Sequence, residues 1–238
     1  MSVPATVYAQ SAPSSAAADT SPCKAADSAC VTNYLETLAG RIEKESWRDQ
    51  AYRELAKTLA ADGQALKALP LIEKIQNPDT KALTIRGIGM EAAMAGKVPE
   101  GLFVHLRQAA EKITDPPSYG IALTYIAMGQ AFADDDAGAM ATAADMKNDA
   151  LRHKAYGETA EIQAEKGKFS LALESIRQID SASFRNKAYK NVSRIFAERQ
   201  KYQESFDMAV LIENPVMQAE AIQFMLDEQR RSREKTRD

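Results

Sequence analysis

Residues 156–176 read YGETAEIQAEKGKFSLALESI. An aromatic residue, Tyr156, is followed four positions on by a small one, Ala160. A turn former, Gly167, comes seven later, then Phe169, a second small residue, Ala172, and Ile176. Apolar and small side chains at helical spacing on both sides of a glycine describe two helices joined by a tight turn. Ala160 and Ala172 then mark where the two helices cross. Without bulk there, the axes approach to the short end of the roughly 8–10 Å range.

The same order recurs along the chain. The small residue after an apolar one falls at Ala56, Gly89, Ala127, Ala160 and Ser193, with separations of 33, 38, 33 and 33 residues. Four positions before it stand Tyr52, Ile85, Leu123, Tyr156 and Tyr189; seven after it, Gly63, Gly96, Asp134, Gly167 and Gln200. Twelve after it comes the second small residue, Ala68, Gly101, Ala139, Ala172 or Ser205. The one long interval is expected to fall in the loop Thr114-Asp115-Pro116-Pro117-Ser118. A fixed period of this length signals a repeat array, in which no unit buries its apolar face alone and stacking supplies the core.

The ends fit the array. Leu35, Ala39 and Ile42 match Ala68, Ile72 and Ile75 at a distance of 33 residues, so residues 31–46 read as a lone second helix that caps the front. Ile222 and Met225 match a first helix, with Leu226 in place of the small residue. The expected organisation is a disordered or processed segment at 1–30, the cap at 31–46, five hairpins and a C-terminal capping helix over 47–228, and a basic tail at 229–238.

The order aromatic, small, turn, aromatic, small and closing proline resembles the tetratricopeptide repeat over about residues 31–228. It departs from that family in its period, usually about 34, in lacking the family's tryptophan, and in placing Thr159 and Gln163 where apolar residues are expected. The resemblance implies an all-α fold, a right-handed superhelical solenoid of antiparallel helix hairpins. It further implies that the first helix of each hairpin lines a concave face. The lining positions would include Arg53, Lys57, Leu83, Arg86, Met90, Met94, Ile121, Met128, Phe132, Lys187, Lys190 and Arg194. Such a groove is apolar and rich in Met at its centre, an adaptable surface for a peptide or helix, with cations on both flanks. Lys190, Asn191 and Arg194 fall within one unit and do not reproduce the carboxylate clamp that some members of the family spread over three.

Composition bounds the function. The 238 residues are 45% hydrophobic and 26% charged, with a net charge of −3 and a pI near 5.6, so no global field invites nucleic acid or an anionic membrane. No apolar run is long enough to span a bilayer. No phosphate loop, dinucleotide glycine pattern, nucleophile elbow or zinc motif is present, which argues against an enzyme, a metal site or a cofactor. His105 is expected inside a second helix and His153 at the surface near a helix start. Asp134-Asp135-Asp136 reads as a solvated turn. The expectation is a non-catalytic protein–protein interaction scaffold whose partner is another protein or peptide. A self-assembling structural subunit is the alternative.

Val7-Tyr8-Ala9 followed by Gln10 resembles a signal-peptidase site, although the six residues before it are too few and too polar for a complete signal. Export to the periplasm of a bacterial envelope is the expectation, with the cytoplasm as the alternative. Cys23 and Cys30 can close a small loop in an oxidising compartment, and would stay two thiols elsewhere.

Overall fold

The computed structural model describes residues 22–235. Among them lie twelve helices and no strand. A front helix, α1 (Ser28–Gly40), precedes five hairpins. Their first helices, α2 (Glu45–Ala61), α4 (Pro78–Met94), α6 (Pro116–Phe132), α8 (Asp149–Glu165) and α10 (Ala182–Glu198), each have 17 residues. The second helices are shorter: α3 (Ala65–Lys74), α5 (Leu102–Glu111), α7 (Asp136–Ala144), α9 (Phe169–Arg177) and α11 (Tyr202–Ala209). A final helix, α12 (Pro215–Lys235), closes the described chain. Helix therefore begins inside the segment expected to be irregular up to residue 30, and it runs on through residues 229–235. The signal-like Val7-Tyr8-Ala9 lies outside the described residues.

Local chemistry sets the helix ends. Asn77, Asp115, Asn148 and Asn214 each accept a hydrogen bond, at 2.9–3.0 Å, from the backbone N–H three residues on, capping α4, α6, α8 and α12. Three of those helices start at a proline, whose missing N–H costs nothing there. At the other end Gly63, Gly96, Asp134, Gly167 and Gln200 all take positive φ, between 61° and 83°. The next residue's N–H then reaches back five positions, as in Gln64 to Leu59 O at 2.8 Å and Lys168 to Gln163 O at 2.8 Å. This αL closure satisfies the orphan carbonyls and reverses the chain.

Every substantial helix–helix contact joins elements no more than two apart in chain order. The first helices pack in an unbroken row, α2 on α4, α4 on α6, and onward to α12. Of the second helices, only α3 and α5 touch substantially. Ala56, Ala68, Ala127, Ala139, Ala160, Ala172, Ser193 and Ser205 are all fully buried. In the fifth hairpin the crossing is directly bonded: Ser193 Oγ donates to Ser205 O at 2.9 Å.

The second hairpin corrects the sequence expectation. The extra residues do not sit at Thr114–Ser118, where Asp115 caps and Pro116 starts α6. They lengthen the hairpin turn between Met94 and Leu102. Gly101 is consequently not a crossing residue but the αL residue before α5, with φ 74°. Leu106 takes the crossing position, fully buried, against Gly89: a Cβ added to that glycine would lie 3.4 Å from Leu106 Cδ1. His105, one residue earlier, is exposed instead of internal, with Nδ1 3.3 Å from Gln108 Oε1. His153 is likewise reversed: it is buried, 7% exposed.

Candidate functional site

The position of His153 recurs every repeat as Asp49, Gly120 and Asn186, and as Ala82, all on the buried side of a first helix. Asp49 Oδ2 accepts from the N–H groups of Gln76 and Asn77 at 3.0 and 2.8 Å. Asn186 Oδ1 accepts from Glu213 N–H at 2.8 Å. Each side chain thus latches the loop that follows its own hairpin. His153 faces the equivalent loop with Nε2 3.8 Å from Asp180 Oδ2 and no hydrogen-bond partner. Its ring tilts against Phe184, 5.5 Å between centroids. The repeat spacing carried this signal, because Asp49 and Asn186 stand on the same column.

A second recurring device is an arginine one residue earlier. Arg48, Arg152 and Arg185 donate to the carbonyls of Ile42, Met146 and Ile179 at 3.5, 3.3 and 2.9 Å. These carbonyls belong to the apolar residue two positions beyond the end of the preceding helix, so the arginines hold one unit to the next.

The residues expected to line a groove divide into three groups. Ile121, Met128 and Phe132 are half-buried and pack against the core, so their apolar character serves the stack. Leu83 and Met90 are half-buried, while Met94 is 61% exposed. The cations are mostly engaged. Lys57 donates to Glu54 at 2.9 Å, and its stem lies over Gly87, where a Cβ would come within 2.5 Å of Lys57 Cγ. Arg53 sits 3.6 Å from Glu54, and Arg86 lies over the Tyr125 ring at 5.1 Å. Lys190 pairs with Glu220, and Arg194 lies over Phe224 at 4.4 Å. Lys187 is exposed and in no ion pair among the described residues, as is Lys154.

Two clefts flank α8. Between α6 and α8 lies one of about 740 Å³, lined by Pro117, Tyr119, Ile121, Met146 and Leu151 among others. Gly120 makes room there, since a Cβ on it would fall 2.5 Å from Leu151 Cδ1. Between α8 and α10 lies a smaller one of about 270 Å³, lined by His153, Lys154, Glu161, Phe184, Lys187 and Asn191. Ile121, Lys154 and Lys187 occupy the same repeat column, as do Leu151 and Phe184, so one architectural cleft is apolar in one unit and charged in the next. Within the charged cleft, burial pushes the Glu161 carboxyl above the usual carboxylate range. Asn191 Nδ2 donates to it at 2.6 Å and, with Lys187, partly offsets that rise, while Glu158 and Glu165 add to it.

The Cys23 and Cys30 thiols are joined, with their Cα atoms 5.7 Å apart. The bond closes a loop onto the start of α1, where Asp27 accepts from Cys30 N–H at 3.0 Å. No group of three or more metal-binding side chains gathers among the described residues, and no helix there is long and apolar enough to cross a membrane. Compared with protein-family models, curated proteins and solved structures, the chain matches none of them.

Proposed function

We propose that this chain is a non-catalytic interaction scaffold of tetratricopeptide-like hairpins that binds a peptide or helix of another protein across the first-helix face. The observation that carries the reading is the pair of clefts on either side of α8. An apolar recess of drug-ligand size lies beside a charged one whose Lys154 and Lys187 are in no ion pair among the described residues. An apolar side chain would enter the α6–α8 cleft, and an acidic group would meet the two lysines. Met94 and Arg86, both exposed, extend the same face toward the front.

The unbroken row of first helices, beside second helices that mostly stand apart, supports a right-handed superhelix with the first helices at its inner radius. The disulfide supports an oxidising compartment such as the periplasm.

A peptide array scanned with purified protein tests the reading. Peptides pairing an apolar anchor with acidic residues should bind. Lys154→Glu with Lys187→Glu should weaken them about tenfold or more, that is about 1.4 kcal/mol, while leaving the melting temperature unchanged. If the charge-reversed protein selects the same peptides with the same strength, the clefts are not the docking surface.

A further inference from the structure

Most of the large apolar side chains left exposed among the described residues lie at the two ends of the array. The front end is α1. It touches α2 as each second helix touches the next first helix, and Glu36 pairs forward with Lys74 at 2.5 Å, just as Arg107 of α5 pairs with Asp145 beyond α7 at 2.7 Å. It therefore occupies a second-helix place with no first helix before it among the described residues. The consequence is measurable. Leu35 and Leu38 are 41% and 38% exposed, whereas Ala68 and Leu71, 33 residues on, are 0% and 2% exposed because α2 covers them.

The back end is the converse. α12 occupies a first-helix place, packed on α10 and α11, with no second helix after it among the described residues. Leu226 stands 48% exposed at the column where Ala56, Ala127, Ala160 and Ser193 are fully buried. Beside it, Phe206 and Val210 are 41% and 45% exposed. Their columns face the next second helix: Glu73, which holds Val210's column in the first hairpin, reaches Lys112 beyond α5 at 2.5 Å.

From these two half-units we infer that copies of this chain associate head to tail, α1 of one copy docking on α11 and α12 of another as their missing second helix. The surfaces are complementary in kind, since each exposes the apolar column that the other's kind of helix covers inside the array. Every docked copy exposes a fresh α12, so the contact is heterologous and extends into open strings. The large Leu226 facing Leu35 sets a wider crossing than the alanine pairs inside the chain. This inference is independent of what the α8 clefts bind.

Sedimentation velocity over a concentration series of the disulfide-intact protein tests it, with Leu35→Glu/Leu38→Glu as the front variant and Leu226→Glu as the back variant. All three positions are exposed, so both variants should keep the wild-type circular dichroism and melting temperature. Wild type should gain mass with concentration, each variant alone should stay monomeric, and an equimolar mixture should form dimers and nothing larger, because only one intact end of each kind remains. A wild type that stays monomeric throughout overturns the inference. So does a back variant that associates like wild type while the front variant does not, since that places two α1 helices against each other. Association that survives in both variants places the contact elsewhere and overturns it equally.

Discussion

The second hairpin, α4–α5, and the fourth, α8–α9, solve the same packing problem with different residues. In the fourth, two alanines meet at the crossing, Ala160 and Ala172, both fully buried. In the second, Gly89 meets Leu106, and the turn between its helices runs from Met94 to Leu102 where the fourth needs only Lys166 to Lys168. The turn was free to grow, because lengthening a surface loop costs little chain entropy. The crossing was not. A leucine entered it only where the opposing residue had no side chain at all. What the stack conserves is the volume between paired helices, not the identity of the residues that fill it.

The harshest way to break the comparison is Ala172→Asp. It buries a carboxylate in place of a fully buried methyl group at the crossing, and should cost about 3–5 kcal/mol, read as a fall in the urea midpoint. His105→Asp, by contrast, should stay within about 0.5 kcal/mol, because His105 points to solvent although its sequence spacing matches the buried Ile72 and Ile176. Equal losses from the two substitutions would mean that the insertion has been placed in the wrong loop.

Leu106→Ala breaks the other hairpin. It empties the space over Gly89 and should cost about 2–5 kcal/mol, the upper end if the site cannot collapse. Adding Gly89→Ala restores an alanine pair like that of the fourth hairpin, and the two changes should couple favourably by about 0.5 kcal/mol or more in a double-mutant cycle. Strict additivity would show that the two residues do not share the crossing.

The glycines sharpen the contrast. Gly167 holds φ at +75° with open space around it, so Gly167→Ala pays only for the left-handed backbone, about 1–2 kcal/mol. Gly89 is helical, and a Cβ there meets Leu106 and Phe103 at 3.4 and 3.5 Å, ordinary contact distances. Gly89→Ala alone should therefore be neutral or stabilising by up to about 1 kcal/mol, through helix propensity. Thermal melts of the two variants side by side decide it.

Much of this architecture is legible in the sequence because local sterics write it there. The five turn positions from Gly63 to Gln200 all adopt the left-handed backbone, and four of the five crossings hold the small pair that the spacing names. The second hairpin is hard to place from spacing because Asp115-Pro116-Pro117 looks like a loop but is a cap followed by a helix start, while residues 97–101, which include Pro99 and end at Gly101, are the real excess. That shift carried Gly101 and His105 into the wrong places, since compensation of Gly89 by Leu106 is a relation between distant residues that no local pattern displays. The candidate site was less legible still. The sequence offers Ile121 and Lys187 only as separate lining residues, but the clefts they join depend on Gly120 and Leu151, and on His153 taking a loop-latch position, all of which are set by how neighbouring units stack.

The smallest expected effect compares the two hairpins at one column on the first-helix face, where the second unit has Met90 and the fourth has Glu161. Both are half-buried, but only Glu161 can ionise. Its folded-state pKa is raised, chiefly by burial, so across the window above the ordinary carboxylate value the folded chain holds this proton more tightly than the unfolded one. Stability contributed by the site should therefore fall as pH rises through that window and level off above it. Glu161→Gln keeps the acceptor for Asn191 and removes the charge. It should match wild type at the acidic end and become the more stable of the two toward neutral pH, whereas Met90→Gln should show no such divergence between the same two pH values. Parallel urea titrations at acidic and neutral pH measure it. A Glu161→Gln difference that does not change with pH would mean that this carboxyl is as well solvated folded as unfolded, and that the α8–α10 cleft is wetter than its lining suggests.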